Sequence, residues 1–334
     1  MQSTYKPLIS VVVPVYGVED RVKQFAESLF SQTLTDDVEF IFVNDASTDR
    51  SMQIINDILD GKFRHLRNQV KILNHKNNRG LPAARNTGIK QANGKYIINV
   101  DSDDFLAPNM LESLCKKCEN ENLDVAWCDW NIIKGNQEIK VTEPDYKKGS
   151  EALLHTLVGP LHYNVWNKLI KRNLFIKNAI EFPEGYSMGE YMTIMMVLAC
   201  ADRVGKVYGH LYNYVKYETG TITSNYAEPH IEALEHNVNR VSDFIKNKFP
   251  AMYDKEIAFM KLGMKSVFLV SGYNTRHFKA WKRLFKDANK YIGQNPQTLT
   301  RISFLEKCAK LNFFLPVALY NLLIVDFYNR LRYR

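Results

Sequence analysis

The chain has 334 residues, of which 46% are hydrophobic and 24% are charged, and these values are ordinary for a soluble globular protein. This length accommodates one large domain with an appended region. The net charge of +8 is uneven, because residues 1–225 carry 26 Lys/Arg against 27 Asp/Glu while residues 226–334 carry 18 against 9. The basic excess therefore lies in the C-terminal third and indicates an anionic partner there, either a membrane surface or a nucleic acid.

The N-terminus and the cysteines indicate a cytoplasmic protein. Residues 1–6 are polar and do not resemble a secretory signal. Five cysteines, an odd number, favour a reducing compartment. Cys115 and Cys118 form a C-x-x-C, but no second pair accompanies them, so two ordinary helix cysteines are favoured over a zinc site.

Strands and helices alternate through the first hundred residues. An apolar run over residues 8–13 predicts a strand covered on both faces, which we expect Pro14 to end. The same patterns predict a helix over 19–31, a strand over 38–43, a helix capped by Ser47–Asp49, a strand over 70–73, a helix over 81–91 and a strand over 96–100. This alternation predicts a mostly parallel sheet with helices on both faces.

The rest of the chain is less regular. A strand is predicted over 124–133, followed by a hairpin turn at 134–138. Short helices and strands are expected over 150–225, and helices joined by turns at 249–250 and Gly272 over 226–290.

Three carboxylates, Asp101, Asp103 and Asp104, follow the strand at 96–100 directly. Crowded like charges raise pKa values and cost stability unless a cation or ligand offsets them. Asp101 and Asp103 are two residues apart and point the same way in an extended segment. Two carboxylates at the carboxyl end of a strand suit a hard divalent cation that binds a diphosphate, and a solvated acidic turn is the alternative.

Six segments together resemble the family 2 glycosyltransferases. They read P-V-Y-G-V-E at 14–19, V-N-D-A-S-T-D at 43–49, N-R-G-L-P-A-A-R-N at 78–86, D-S-D-D at 101–104, W-N-K-L at 166–169, and Y-N-Y with I-T at 212–214 and 222–223. Three positions depart from the family pattern: Gly17 replaces Asn, Asn44 replaces Asp and Ala46 replaces Gly. The resemblance covers about two-thirds of the chain and implies the GT-A fold, a Rossmann-like, mostly parallel α/β sheet flanked by helices, with a helical C-terminal region.

The resemblance also implies inverting transfer of a sugar from a UDP-sugar to a glycan or lipid-linked saccharide in cell-surface polysaccharide biosynthesis. Its donor-site residues map onto Pro14, Tyr16, Glu19, Asp45, Arg85, Asp101 and Ser102. Mn²⁺ or Mg²⁺ would be held by Asp103 and Asp101. Asp45 would accept from the uracil imide and Tyr16 would stack on the base; their alternatives are a helix cap and a core aromatic. Arg85 would contact a phosphate or the base, or else lie on a helix surface.

The candidate catalytic base lies at a departure from the family pattern, because the family usually has Glu-Asp where this chain has Glu190 and Tyr191. A tyrosine with an ordinary pKa near 10 is a poor base at neutral pH, so Glu190 is the candidate base and Tyr191 a candidate acceptor contact. Trp166 is an apolar acceptor platform or a core residue. The alternative function is a non-catalytic protein that binds sugar nucleotides.

The C-terminal region has an uncharged run at 311–325, followed by Arg330, Arg332 and Arg334. The run is too short for a membrane span, and an apolar stretch with a basic flank is typical of an interfacial helix. We therefore expect a catalytic domain over 1–225 and a helical region over 226–334, with a tail from about 305 that lies on the cytoplasmic face of the membrane. The alternatives are packing on the catalytic domain or a homodimer contact; a nucleic-acid partner is not expected.

Overall fold

A computed structural model describes residues 6–217, 227–271 and 274–325. The chain forms two compact units, one of Met1–Leu153 with Leu161–Thr219 and the other of Leu154–Pro160 with Gly220–Arg334. The division expected at residue 225 falls within 218–226, outside the described residues, and stays a prediction.

One sheet of nine strands organises the first unit, in the order β3-β2-β1-β4-β8-β6-β9-β5, with β7 paired to β6. The strands are β1 (Ile9–Val15), β2 (Val38–Asn44), β3 (Val70–Asn74), β4 (Tyr96–Asn99), β5 (Phe105–Leu106), β6 (Val125–Lys134), β7 (Gln137–Val141), β8 (Lys168–Lys171) and β9 (Val204–Val215). Strands β1 to β4 are mutually parallel, as is the β6–β9 pair. Strand β8 is antiparallel to both of its neighbours, β4 and β6. Strand β5 is antiparallel to β9, and β7 is antiparallel to β6.

The helices fall into those that alternate with the strands along the chain and those of the second unit. They are α1 (Val22–Phe30), α2 (Ser51–Asp60), α3 (Leu81–Gln91), α4 (Met110–Glu121), α5 (Gly149–Val158), α6 (Arg172–Lys177), α7 (Thr193–Cys200), α8 (Glu228–Lys248), α9 (Asp254–Val270), α10 (Thr275–Arg283), α11 (Thr300–Lys310) and α12 (Leu315–Tyr320). Cys115 and Cys118 lie buried on α4, as the helical pattern predicts. The turn expected at Gly272 lies outside the described residues.

Helix α3 has the predicted bounds and packs directly on the centre of the sheet. A Cβ on Gly88 would lie 2.3 Å from Val12 Cγ1, so no larger residue fits where α3 crosses β1. Val12 and its neighbours in β1 are fully buried, as expected of a strand covered on both faces. This close packing fixes where the side chains of α3 meet the carboxyl end of the sheet.

Two predicted boundaries at the start of the chain are wrong. Pro14 does not end β1, which continues to Val15. Since β4 pairs with β1 only as far as Val12, Pro14 has a neighbouring strand on one side alone, and a residue without an N–H is tolerated there. Helix α1 begins at Val22 rather than near Glu19, because side chains of the β2–α2 segment bind the amides of residues 17–19.

The second unit is helical through its described part. Asn321 anchors the last turn by donating to the Leu269 carbonyl of α9 at 2.8 Å. Across residues 6–217, 227–271 and 274–325, no helix combines the length and apolar character that crossing a bilayer requires.

Candidate active site

The polar residues that follow β1, β2 and β4 lie at one edge of the sheet. These strands are parallel neighbours, so Tyr16, Asp45 and Asp101 emerge side by side from their carboxyl ends. Tyr16 is 53% exposed, which leaves its ring free to stack on a planar ligand. All the predicted site residues belong to the first unit.

Asp45 is buried and holds the loop that precedes α3. One carboxylate oxygen, Oδ1, accepts from His75 Nδ1 at 2.6 Å and from the Arg79 amide at 2.9 Å. The other, Oδ2, accepts from the Gly80 amide at 2.7 Å. A carboxylate has about four acceptor positions, so Oδ2 retains one for a ligand donor. Asp45 therefore binds the backbone amides of the loop that precedes α3. It does not cap the helix that follows it, α2, which was the alternative role considered from the sequence.

The N-cap position of α2 is Arg50, which makes no side-chain capping hydrogen bond, and Asp49 just before it ties two loops together. Its carboxylate accepts from the Ser51 amide at 3.0 Å and from the Glu19 amide at 3.0 Å. These hydrogen bonds, with those from the Ser47 and Ser51 hydroxyls, lower its pKa to about 2 against the opposing effect of burial. Glu19 accepts from the Arg50 amide at 2.8 Å. Glu19 thus fastens the loop after β1, and Pro14 is buried within the strand itself.

The acidic cluster divides into a buried carboxylate and two more accessible ones. Asp104 is buried and accepts from the Tyr212 hydroxyl at 2.7 Å and from the Val215 amide at 2.8 Å. The same hydroxyl accepts from the Asp101 amide at 3.2 Å, so Tyr212 fixes the backbone of the motif. Burial and the nearby Asp103 and Asp101 carboxylates hold the pKa of Asp104 well above its ordinary value. Ser102 is buried between them.

Asp103 faces an arginine that the sequence analysis did not single out. Arg21 Nη1 lies 3.7 Å from Asp103 Oδ2, and its guanidinium lies 3.7 Å from the ring centroid of Tyr217. Partial burial and the neighbouring Asp101 raise the pKa of Asp103 to about 6, although Arg21 opposes that shift. Arg21 follows the P-V-Y-G-V-E segment, but nothing in its local pattern distinguishes it from a surface arginine.

The two accessible carboxylates fit a divalent cation that a diphosphate also ligates. The Asp101 and Asp103 side chains are 24% and 36% exposed, and the repulsion from Asp101 adds to the effect of burial in raising the pKa of Asp103. Within the described ranges, no group of three or more His, Cys, Asp or Glu side chains could hold a metal ion. Mg²⁺ and Mn²⁺ suit one or two carboxylates completed by water and phosphate oxygens, so this donor set fits them.

Arg85 is the centre of the site. Only 1% of it is exposed, so it is not the surface helix arginine of the alternative interpretation. Its Nη2 donates to Asp101 Oδ1 at 2.9 Å and its Nη1 to Glu190 Oε1 at 3.4 Å. The Arg85 guanidinium therefore joins the acidic cluster after β4 to Glu190, the candidate base, which follows Arg85 by 105 residues in the sequence.

Asn86, the next residue on α3, brings the Glu190 segment into place. Its side-chain amide donates to the Phe182 carbonyl at 2.8 Å and accepts from the Phe182 amide at 2.7 Å. The Phe182 ring lies 5.3 Å from the Arg85 guanidinium. Asn86 thus binds the backbone of the segment that precedes Glu190, and Arg85 binds the side chain of Glu190.

Glu190 and Tyr191 begin a short 3-10 helix, Glu190–Met192, and point in different directions. Successive side chains of such a helix diverge by about 120°. Glu190 is 3% exposed and faces Arg85, while Tyr191 stacks on Tyr163 with ring centroids 5.9 Å apart. Burial raises the pKa of Glu190 to about 7, with Asp101 adding to the shift and Arg85 opposing it.

Trp166 belongs to an aromatic cluster beneath the acidic motif. Its ring stacks on Tyr212 at 4.3 Å and on Tyr214 at 5.9 Å, and Trp130 meets it edge-on at 5.0 Å. Only 7% of Trp166 is exposed, so the packing alternative describes it better than an acceptor platform. Through Tyr212, the cluster supports Asp104 and the Asp101 amide.

Comparison with known proteins identifies the family. A family model described as glycosyl transferase family 2 matches residues 10–185. The chain belongs to glycosyl transferase family 2. It is 34% identical over 194 residues to the uncharacterized glycosyltransferase EpsJ of Bacillus subtilis, covering 55% of this chain and 54% of EpsJ. The chain thus spans about half the length of this relative.

Two further similarities concern a polymer-modifying enzyme and the fold. The poly(ribitol-phosphate) β-glucosyltransferase of Bacillus spizizenii is 31% identical over 208 residues, which is 58% of this chain and 31% of that protein. The structure of S. aureus TarS 1–349 in complex with UDP-GlcNAc superposes with a TM-score of 0.69 at 21% identity, covering 93% of this chain and 90% of TarS. The GT-A prediction, with a mostly parallel sheet, flanking helices and a helical C-terminal region, is confirmed.

Proposed function

We propose that this protein is a glycosyltransferase that moves a sugar from a UDP-sugar, with inversion, to a glycan or lipid-linked saccharide in cell-surface polysaccharide biosynthesis. The observation that carries the proposal is the Arg85 guanidinium, which bonds to Asp101 on the donor side and to Glu190, the candidate base. Family membership supports the transfer reaction. The TarS complex with UDP-GlcNAc supports the choice of nucleotide, and the poly(ribitol-phosphate) glucosyltransferase supports a polymer acceptor.

The nucleotide would bind along the edge formed by β1 and β2. Asp45 Oδ2 retains an acceptor position for the uracil imide N–H, and the exposed ring of Tyr16 is available to stack on the base. Glu19 and Pro14 would shape this edge without touching the ligand, since Glu19 is bonded to the α2 segment and Pro14 is buried.

The diphosphate would lie against the acidic cluster. Asp103 and Asp101 would hold Mn²⁺ or Mg²⁺, which when bound supplies charge neutralisation for the leaving group. Arg85 pairs with Asp101 and Arg21 pairs with Asp103, so both guanidinium groups lie beside the position proposed for the diphosphate.

Glu190 would take the proton of the acceptor hydroxyl. A base works best when its pKa lies near the working pH, and burial brings Glu190 to about 7. Its second oxygen, Oε2, is buried without a hydrogen-bond partner among the residues that the structure describes, which leaves one acceptor for the incoming hydroxyl.

A second candidate function is binding of sugar nucleotides without transfer. Tyr191 favours it, because this residue takes the position at which the family usually places Asp and its ring is engaged with Tyr163. The substitution Tyr191→Asp separates the two functions. If Glu190 is the base, transfer by this variant stays within a few-fold of the unmodified protein; a large gain in rate would mean that Tyr191 disables the usual base.

The decisive experiment measures release of the nucleoside diphosphate, UDP from a panel of UDP-sugars and GDP from GDP-mannose as the control donor, in the presence and absence of oligosaccharide and lipid-linked acceptors. We expect metal-dependent UDP release that an acceptor stimulates, and a loss of about 10²–10⁴-fold in Glu190→Gln with UDP affinity nearly unchanged. Tight UDP binding without release under any acceptor would support the binding protein instead.

A further inference from the structure

The end of the second unit presents an apolar surface where a water-exposed helix would carry polar residues. We call it the apolar end face. Its members are at least 44% exposed and comprise Leu311, Phe313, Leu315, Leu319, Leu322, Leu323 and Ile324. None of residues 311–325 is charged. Isolated exposed apolar side chains are common, but a run of this kind marks an interaction site.

The orientation of this segment is fixed from the inside. Val317 and Asn321, one turn apart, are both fully buried. Asn321 Nδ2 donates to the Leu269 carbonyl and to the Val317 carbonyl, each at 2.8 Å. Because a polar residue and a valine occupy the inner side, the leucines are held on the outer side and cannot turn inward without breaking these bonds.

The stretch of chain that carries the apolar end face, residues 274–325, is rich in positive charge. Residues 274–325 contain nine Lys or Arg against two acidic residues, and all nine cations are exposed. One of them, Arg283, is paired with Glu228 of α8 at 2.8 Å. Of the two acids, Glu306 is buried against Ser266, and Asp287 is paired with Lys261 at 3.2 Å. Lys282 Nζ lies 5.9 Å from the Phe314 ring, and Phe278 of α10 packs on Phe314 at 5.1 Å. The basic helix α10 is thus adjacent to the apolar segment.

We propose that the apolar end face docks on the surface of an anionic lipid bilayer, with its leucines among the acyl chains and the exposed cations of α10 and its neighbours in sequence at the headgroups. An apolar face next to exposed Lys and Arg residues has the chemistry of an interfacial membrane helix. Charge selects this occupant over a second copy of the chain, because pairing two such faces would bring together two sets of cations. The proposal concerns a surface remote in sequence from the proposed catalytic residues and does not depend on sugar transfer.

The test uses the full chain with sedimented vesicles and no substrate. We expect binding to vesicles of phosphatidylcholine with about one-third phosphatidylglycerol, and much weaker binding to phosphatidylcholine alone. Binding should fall as salt rises, since each cation near the surface contributes attraction that salt screens. The pair Leu319→Glu and Leu323→Glu should lower the partition coefficient by at least ~10-fold, because two apolar side chains that would enter the acyl chains are lost.

The matched control is Met252→Glu, which places the same charge on an apolar side chain that is 64% exposed between α8 and α9. It should retain vesicle binding, and circular dichroism should show all variants folded. Equal binding by the paired leucine variant, or equal binding to neutral and anionic vesicles, overturns the proposal. So does a dimer, seen by sedimentation velocity, that the leucine substitutions dissociate while vesicles fail to bind.

Discussion

Replacement of Glu190 by Gln tests the electrostatics of the site directly. The amide oxygen of Gln can still accept from Arg85, and Arg85 keeps its bond to Asp101, so the geometry is preserved. What disappears is a carboxyl group whose pKa burial raises from 4.5 to about 7. A tenfold change in a protonation equilibrium corresponds to about 1.4 kcal/mol. The rise in the pKa of Glu190 on folding therefore corresponds to a free energy of about 3 kcal/mol.

The sign follows from proton binding. Between about pH 4.5 and pH 7 the native protein holds a proton on Glu190 that the unfolded chain has released. The free energy of unfolding of the unmodified protein therefore falls as pH rises through this window and levels off above it. The Gln variant lacks this contribution. We expect its free energy of unfolding, relative to the unmodified protein, to rise by about 3 kcal/mol between about pH 5 and about pH 8.

The assay is urea unfolding followed by tryptophan fluorescence in a Trp281→Phe background. The remaining tryptophans, Trp127, Trp130 and Trp166, all lie in the first unit and report on the fold around the site. Glu184→Gln is the matched control, because Glu184 also pairs with an arginine, Arg79 at 2.9 Å, yet its pKa is lowered by hydrogen bonds from Asn86 and Arg79 against the effect of burial. That control should not gain stability with rising pH. A Glu190→Gln difference that is the same at both pH values would refute a base tuned to neutral pH.

Three further predictions concern neighbouring residues. Asn86→Ala should lower the free energy of unfolding by about 2–4 kcal/mol in the same assay, since it leaves both backbone groups of Phe182 without their partner; a loss below about 1 kcal/mol would mean that Asn86 does not hold this segment. Asp103→Asn should abolish metal-dependent transfer and Mn²⁺ binding by calorimetry, while thermal denaturation without metal shows equal or higher stability because a like charge is removed; full activity in chelator would contradict it. Asp45→Asn should weaken UDP binding by about 10–100-fold, the worth of a hydrogen bond to a charged group, without changing the metal requirement. Calorimetry showing that the unmodified protein prefers GDP to UDP would contradict the assignment of Asp45 to the uracil ring.

Local patterns in the sequence determined most elements of the first hundred residues. Helix α3 has its predicted bounds because Gly80 precedes it and Pro82 occupies its first turn. The strands before Asp45 and Asp101 are apolar runs long enough to be recognised alone, and parallel neighbours necessarily end at one edge. The sheet edge that carries Tyr16 and Asp45, and the acidic cluster, were therefore predictable from residues that are close in sequence.

Tertiary structure decided which side chains meet across the site. Arg85 and Glu190 are 105 residues apart, and Tyr212 and Asp104 are 108 apart, so no local period links them. Asn86 binds the backbone at Phe182, and the 3-10 turn that follows directs Glu190, and not Tyr191, toward Arg85. The raised pKa of Glu190 has the same origin, because burial beside Arg85 and Asp101 exists only once distant segments have packed together.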